Sequence, residues 1–62
     1  MISEGEKVRA KWGDSFIREG DVGTVEFVGT GVLRVEWENP TYIDAEGRTV
    51  WWVVTDQVEK VT

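Results

Sequence analysis

The chain of 62 residues contains neither cysteine nor histidine. Without cysteine it can form no disulfide and hold no thiolate-bound zinc, and without histidine it lacks the usual general base and the imidazole metal ligand. We therefore expect a protein that is not an enzyme, needs no cofactor and binds no metal. Carboxylate pairs such as Asp44/Glu46 and Glu36/Glu38 could in principle hold a hard cation or transfer protons, but we interpret them as solvated charges.

Long apolar runs and an excess of positive charge are also missing. No segment approaches the length of about eighteen apolar residues that a membrane-spanning helix needs. Seven basic residues stand against twelve acidic ones, and the net charge of −5 opposes binding to a phosphate backbone. The amino terminus lacks the basic and apolar segments of a secretory signal, so we expect a cytoplasmic location and no direct membrane insertion.

Helical periodicity is absent as well. Apolar residues alternate with polar ones instead of recurring at helical spacing, and seven glycines interrupt the chain every few residues. We find no linker and no internal repeat, so residues 1–62 are predicted to form a single domain. Four tryptophans, two phenylalanines and one tyrosine supply the apolar area that so small a core requires.

The clearest local signal is a hairpin within residues 21–38. Two β-rich runs are joined by Gly29-Thr30-Gly31, and glycine supplies the positive φ that such a tight connection requires. Alternation in the first run is imperfect, because Val25 and Phe27 share one face while other valines occupy the opposite one. We therefore predict a β-bulge or a bend in this strand.

Five strands in all are predicted: Lys7–Trp12, Val22–Val28, Val32–Glu38, Arg48–Val54 and Val58–Val61. The first has an apolar face, which we expect to bury Trp12, and the third is expected to bury Trp37. The loop between the first two strands carries Phe16 and Ile17 and is predicted to bury one of them. The sequence thus predicts an all-β fold with the architecture of a small five-stranded barrel.

The spacing of these strands resembles that of the SH3-like barrel superfamily. The patterns G-x-x-V, x-G-x-V-x-x-V, L-x-V-x-W and D-x-V-E-x-V follow in order, at residues 5–8, 22–28, 33–37 and 56–61. Similar spacing occurs in KOW-type modules and in the SH3-like domains of mind-bomb-type ubiquitin ligases, which share Trp12-Gly13-Asp14. The E subunit of photosystem I is similar at residues 7–9, 15–16 and 21–25. This resemblance implies a non-enzymatic binding module.

An exposed aromatic patch is the predicted binding site for a partner protein. Trp51 and Trp52 are adjacent and must point to opposite faces of a regular strand. The face with Val50, Trp52 and Val54 is more apolar than the one with Thr49, Trp51 and Val53, so we expect Trp51 to point outward. Tyr42 and Phe16 are assigned to the same patch. Three acidic residues of the first loop, Asp14, Glu19 and Asp21, would favour a basic or proline-rich segment.

Two other functions remain open. Lys7, Arg9 and Lys11 alternate along the first strand and could contact phosphates in a KOW-like nucleic-acid or ribosome-associated module. We expect these cations instead to form a solvated face, paired with carboxylates such as Glu26 or Glu59. The photosystem resemblance implies a third function, that of a small structural subunit docked on a larger complex.

Overall fold

The computed structural model describes residues 1–38, 40 and 46–61. Five strands occur there: β1 (Lys7–Ala10), β2 (Val22–Val28), β3 (Val32–Trp37), β4 (Val50–Val54) and β5 (Val58–Lys60). They form one antiparallel sheet in the order β4-β3-β2-β1-β5, and a short 3₁₀ helix, Thr55–Gln57, joins β4 to β5. The predicted all-β, five-stranded fold is confirmed. The strand pairing is open, because β4 and β5 each have one neighbouring strand.

The predicted hairpin between β2 and β3 is confirmed. Gly31 adopts a φ of 74°, in the left-handed region that glycine occupies at little cost, and the Gly29 N–H donates to the Val32 carbonyl at 2.9 Å. The predicted irregularity of β2 is also present, since the register between β2 and β3 shifts by one residue between Val25 and Phe27. This bulge leaves Glu26 without a direct partner on β3.

The core lies on the inner face of the sheet. Among the described residues it comprises nine buried apolar side chains: Val8, Ala10, Ile17, Val25, Leu33, Val35, Trp37, Val53 and Val58. The prediction that Trp37 belongs to the core is confirmed. Gly23 lets β2 pack closely against β3, because a Cβ at residue 23 would lie 2.5 Å from Val35 Cγ1 and 2.7 Å from the Glu36 carbonyl oxygen.

The strand β1 ends two residues earlier than predicted, and this removes Trp12 from the core. β1 ends at Ala10, and the Lys11 N–H still donates to the Gln57 carbonyl at 2.7 Å, so Trp12 lies just beyond the paired part of the chain. Trp12 is 48% exposed, and its predicted burial is wrong. Ile17 is buried beneath the loop while Phe16 is exposed, which confirms that the loop buries one of these two residues.

The faces of β4 are the reverse of those predicted. Trp51 and Val53 pair with the buried residues Val35 and Leu33, so they lie on the inner face, and Trp51 packs against the core. Trp52 points outward and is 53% exposed. The prediction failed because it counted Thr49 as a polar member of the face that carries Trp51 and therefore assigned that face outward. Thr49 precedes the strand.

Candidate functional site

A row of three side chains crosses the outer face of the sheet. Phe27 on β2, Arg34 on β3 and Trp52 on β4 are directly opposite one another in the strand register. The two rings meet edge to face with centroids 6.0 Å apart, and the Arg34 guanidinium carbon lies 5.7 Å from each centroid. Both contacts are within cation–π distance, so each ring helps to hold the other and the arginine in place. We call these three residues the aromatic row.

The bulge in β2 creates this arrangement. Val25 is buried on the inner face, but the extra residue at Glu26 turns both Glu26 and Phe27 toward the outer face. Glu26 then reaches Arg34, with an Oε1 to Nε distance of 3.3 Å. The arginine is therefore held by one carboxylate and two rings, which fixes the geometry of the row.

The surface of the aromatic row is apolar over a wide area. Phe27 is 43% exposed and Trp52 is 53% exposed, and Val54, on the same face as Trp52, is also exposed. These three side chains lie on the outer face of β2 and β4. A contiguous apolar patch on a small protein is a usual mark of an interaction site.

A shallow depression of about 590 Å³ adjoins the row. It is lined by Glu26, Arg34, Arg48, Val50, Trp51 and Trp52. The walls combine two indoles with charges of both signs, so the depression can take an apolar side chain and bind polar groups at its rim.

A second aromatic contact lies on the other side of β4. Phe16 stacks on Trp51, with ring centroids 4.0 Å apart and an angle of 16° between the rings. The structure therefore brings together two members of the predicted patch, although Trp51 is half-buried rather than outward. Tyr42, the third member, lies outside the described residues, as does Asp44.

The first loop uses two of its predicted partner-binding carboxylates to hold its own backbone. Asp14 Oδ1 accepts hydrogen bonds from the Phe16 and Ile17 N–H groups at 2.8 and 3.1 Å, and the Gln57 amide donates to Asp14 Oδ2 at 3.3 Å. Partial burial raises the pKa of Asp14, but these hydrogen bonds outweigh it and hold the pKa below its ordinary value.

The other two acidic residues of this loop differ in role. Asp21 Oδ2 accepts the Arg18 N–H at 2.9 Å, so Asp21 also stabilises the loop backbone. Glu19 is exposed, and it is the member of the predicted acidic set best placed to meet a partner.

The predicted basic stripe is exposed and largely paired with carboxylates. Lys7 Nζ lies 3.0 Å from Glu38, and Arg9 donates to Glu59 at 3.1 Å. The predicted pairing with Glu59 is thus present. Lys11 lies beyond the end of β1, with its ammonium 6.0 Å from the Trp12 ring centroid.

Within the described residues, no group of three or more acidic side chains is arranged to hold a metal ion. No helix in that part of the chain is long and apolar enough to cross a membrane.

The aromatic row was not predicted from the sequence. Its signal was present in the imperfect alternation of β2 and in the paired tryptophans of β4, but each was ambiguous alone. Only the register places Phe27, Arg34 and Trp52 opposite one another, and a shift of one residue would exchange the faces.

Comparison with known proteins gives no match: no family model fits the chain, and neither the curated proteins nor the solved structures contain a significant relative.

Proposed function

We propose that the protein is a non-enzymatic interaction module that docks a segment of a partner protein on the aromatic row. The observation that carries this proposal is the outward, mutually braced arrangement of Phe27, Arg34 and Trp52 on an otherwise exposed sheet face. Aromatic side chains and arginine dominate the energetics of protein interfaces. Rings held in place before binding lose little entropy on contact with a ligand.

A proline-rich segment with basic residues is the partner that fits this surface best. Proline-rich segments enter binding already extended, and they dock on grooves lined by aromatic rings. The charge of Arg34 is offset by Glu26, whereas Glu36 adds an exposed carboxylate on the same outer face. The net charge of −5 also attracts a basic segment over longer distances.

The nucleic-acid alternative has less support. A phosphate contact through Lys7 or Arg9 would have to displace Glu38 or Glu59 from an existing ion pair. The alternative of a structural subunit would use the same apolar surface, and it differs in how long the partner stays bound.

The test is a binding titration with a synthetic peptide of about ten residues that has PxxP spacing and several arginines. Two control peptides replace the prolines by alanine or the arginines by glutamate. We expect binding of the first peptide alone, and Trp52→Ala and Phe27→Ala should each weaken it about tenfold or more.

Trp12→Ala is the matched control variant, because Trp12 is similarly exposed but lies away from the row. It should leave the affinity unchanged. Equal binding of all three peptides, or equal loss in the Trp12 and Trp52 variants, would contradict the proposal. Release by added salt of a bound nucleic acid, with loss of binding in Lys7→Ala, would favour the alternative.

A further inference from the structure

In the part of the chain that the structure describes, the outer edge of β4 pairs with no other strand. In the ladder between β3 and β4, the Trp37 N–H donates to the Thr49 carbonyl at 2.9 Å, and the Thr55 N–H donates to the Gly31 carbonyl at 3.0 Å. Hydrogen-bonded pairs alternate along an antiparallel ladder. The odd-numbered residues of β4 therefore bond to β3, and the backbone groups of the even-numbered residues point away from it.

Three residues present these outward groups: Val50, Trp52 and Val54. Within the described residues no other strand pairs with them on that side, although the Val54 carbonyl, at the N-cap of the 3₁₀ helix, accepts the first intrahelical hydrogen bond. The strand also lacks the usual protection of an edge, because Val50–Val54 contains no charge, no proline and no bulge. The opposite edge is different, since β5 has only three residues and two of them are Glu59 and Lys60.

We infer that two copies of the chain pair antiparallel along β4, related by a two-fold axis at Trp52. In this register Val50 of each copy lies opposite Val54 of the other, and the two Trp52 residues lie opposite each other. The two Trp52 residues then exchange N–H and C=O groups, and the Val54 N–H of each copy donates to the Val50 carbonyl of the other. A register shifted by two residues in either direction leaves some of these groups unpaired, so the centred register satisfies the most.

Side chains and charges agree with this register. The two indoles would form an aromatic cross-strand pair, which stabilises antiparallel sheets. The nearest charged residues flank the axis symmetrically in sequence, with Arg48 before the strand and Asp56 after it. An antiparallel second copy brings Arg48 of each strand, which already lies 3.2 Å from Glu46, toward Asp56 of the other, whereas a parallel copy would place Arg48 beside Arg48 and Asp56 beside Asp56. The hydrogen bonds of this pairing come from backbone groups alone, so the inference does not depend on the proposed peptide binding.

The test is sedimentation equilibrium from about 10 μM to about 1 mM, a range that spans weak dissociation constants. We expect the mass of the wild type to rise from 7.1 kDa toward twice that value. The Val54→Pro variant should stay monomeric, because proline removes an outward N–H and blocks the edge. Val54 already has a φ of −75° and a ψ of 148°, so proline fits the native backbone without breaking a bond to β3. Val54→Ala keeps the N–H and should associate like the wild type.

A second measurement needs no variant. Amide hydrogen exchange in the wild type should slow with concentration at Val50, Trp52 and Val54, and remain unchanged at Lys60 on the opposite edge. A wild type that stays at 7.1 kDa with unchanged exchange would overturn the inference. Association that Val54→Pro does not reduce would also overturn it. Peptide binding by the wild type at the low end of this concentration range, where we expect the monomer, tests the proposed function separately.

Discussion

The side chains on the outer surfaces of the two halves of the sheet make different kinds of contact. Over β1 and β5, charged residues pair with one another: Lys7 with Glu38 at 3.0 Å, Arg9 with Glu59 at 3.1 Å, and Lys60 with Glu6 at 3.2 Å. Over β2 to β4 the surface is mainly aromatic and aliphatic, with Arg34 between two rings and Glu26 and Glu36 beside them. We call these the charged half and the aromatic half.

The comparison indicates on which half a ligand gains more binding free energy. Exposed ion pairs are already hydrated and contribute little stability, so a ligand that displaces them gains little. Exposed apolar area is different, because covering it releases about 25 cal/mol per Å². The edges follow the same division, since β5 is short and charged whereas β4 is uncharged. A partner or second copy therefore gains most on the aromatic half.

The largest expected loss of stability comes from a substitution in the core, to which both halves of the sheet contribute. Gly23→Ala should destabilise the fold by about 2–3 kcal/mol, because the new Cβ meets Val35 and the Glu36 backbone at distances that require movement. Urea unfolding followed by tryptophan fluorescence and circular dichroism measures the loss. Gly31→Ala is the control: nothing lies within 4 Å of its added Cβ, and its cost of about 1 kcal/mol comes from the positive φ alone.

The Gly23 variant also tests whether the halves unfold together. We expect one transition with both probes. Separate transitions, or a smaller loss at Gly23 than at Gly31, would show that close packing of β2 on β3 does not join the two halves.

The next largest effect distinguishes the Phe16–Trp51 contact from the Phe27–Trp52 contact. Asp14→Ala should cost about 1 kcal/mol, because two backbone N–H groups lose their acceptor in the loop that positions Phe16. The NMR signal of the Trp51 indole should shift, since Phe16 stacks on it, while that of Trp52 should not. Glu19→Ala is the matched control and should leave both signals in place. A shift at Trp52 would mean that the loop and the aromatic row are coupled.

Acidification should weaken the fold through Glu6 and Asp14. A hydrogen bond from the Ser3 N–H and the Lys60 ammonium hold the pKa of Glu6 below its ordinary value. The pKa of Asp14 is lowered as well, so in both residues the carboxylate favours the folded state. Their contribution is complete above the pKa of the unfolded chain and is lost as the pH falls through the folded value.

Urea midpoints measured at several pH values from about 7 to about 3 should therefore fall below about pH 4.5. The double variant Glu6→Gln/Asp14→Asn should flatten this dependence. A wild type and a double variant with parallel profiles would assign the acid sensitivity to other carboxylates.

The smallest expected effect concerns the charged half itself. Arg9→Gln and Glu59→Gln should each change stability by less than about 0.5 kcal/mol, because both side chains are half exposed. A double-mutant cycle in low and high salt gives the coupling. An interaction above about 1 kcal/mol would make the charged half a real source of stability and weaken its contrast with the aromatic half.

Much of the fold was predictable from local pattern. The bounds of β2 were predicted correctly, and the alternation of Leu33, Val35 and Trp37 identified the inner face of β3. These signals are strong because burial on one face imposes a period of two residues. The turn at Gly31 was predictable because few other residues adopt its φ.

The candidate site was less predictable, because it depends on where strands end and slip. The presence of a bulge in β2 was evident, but its position decides whether Phe27 points inward or outward. Trp51 and Trp52 are chemically equivalent, and only pairing with β3 distinguishes them. Trp12 looked like a core residue because its alternation continues past the point where the chain leaves the sheet. Kinship with the SH3-like superfamily remains a prediction.

The most direct test of the aromatic half is solvent accessibility of the four indole N–H groups, measured by NMR with a soluble paramagnetic probe. Without ligand, the Trp12 and Trp52 signals should broaden most, and those of Trp51 and Trp37 least, because both of the latter indole nitrogens are buried. With the basic proline-rich peptide, Trp52 should become protected while Trp12, exposed to a similar degree, stays accessible. Equal protection of Trp12 and Trp52, or an unliganded Trp51 more accessible than Trp52, would contradict the account.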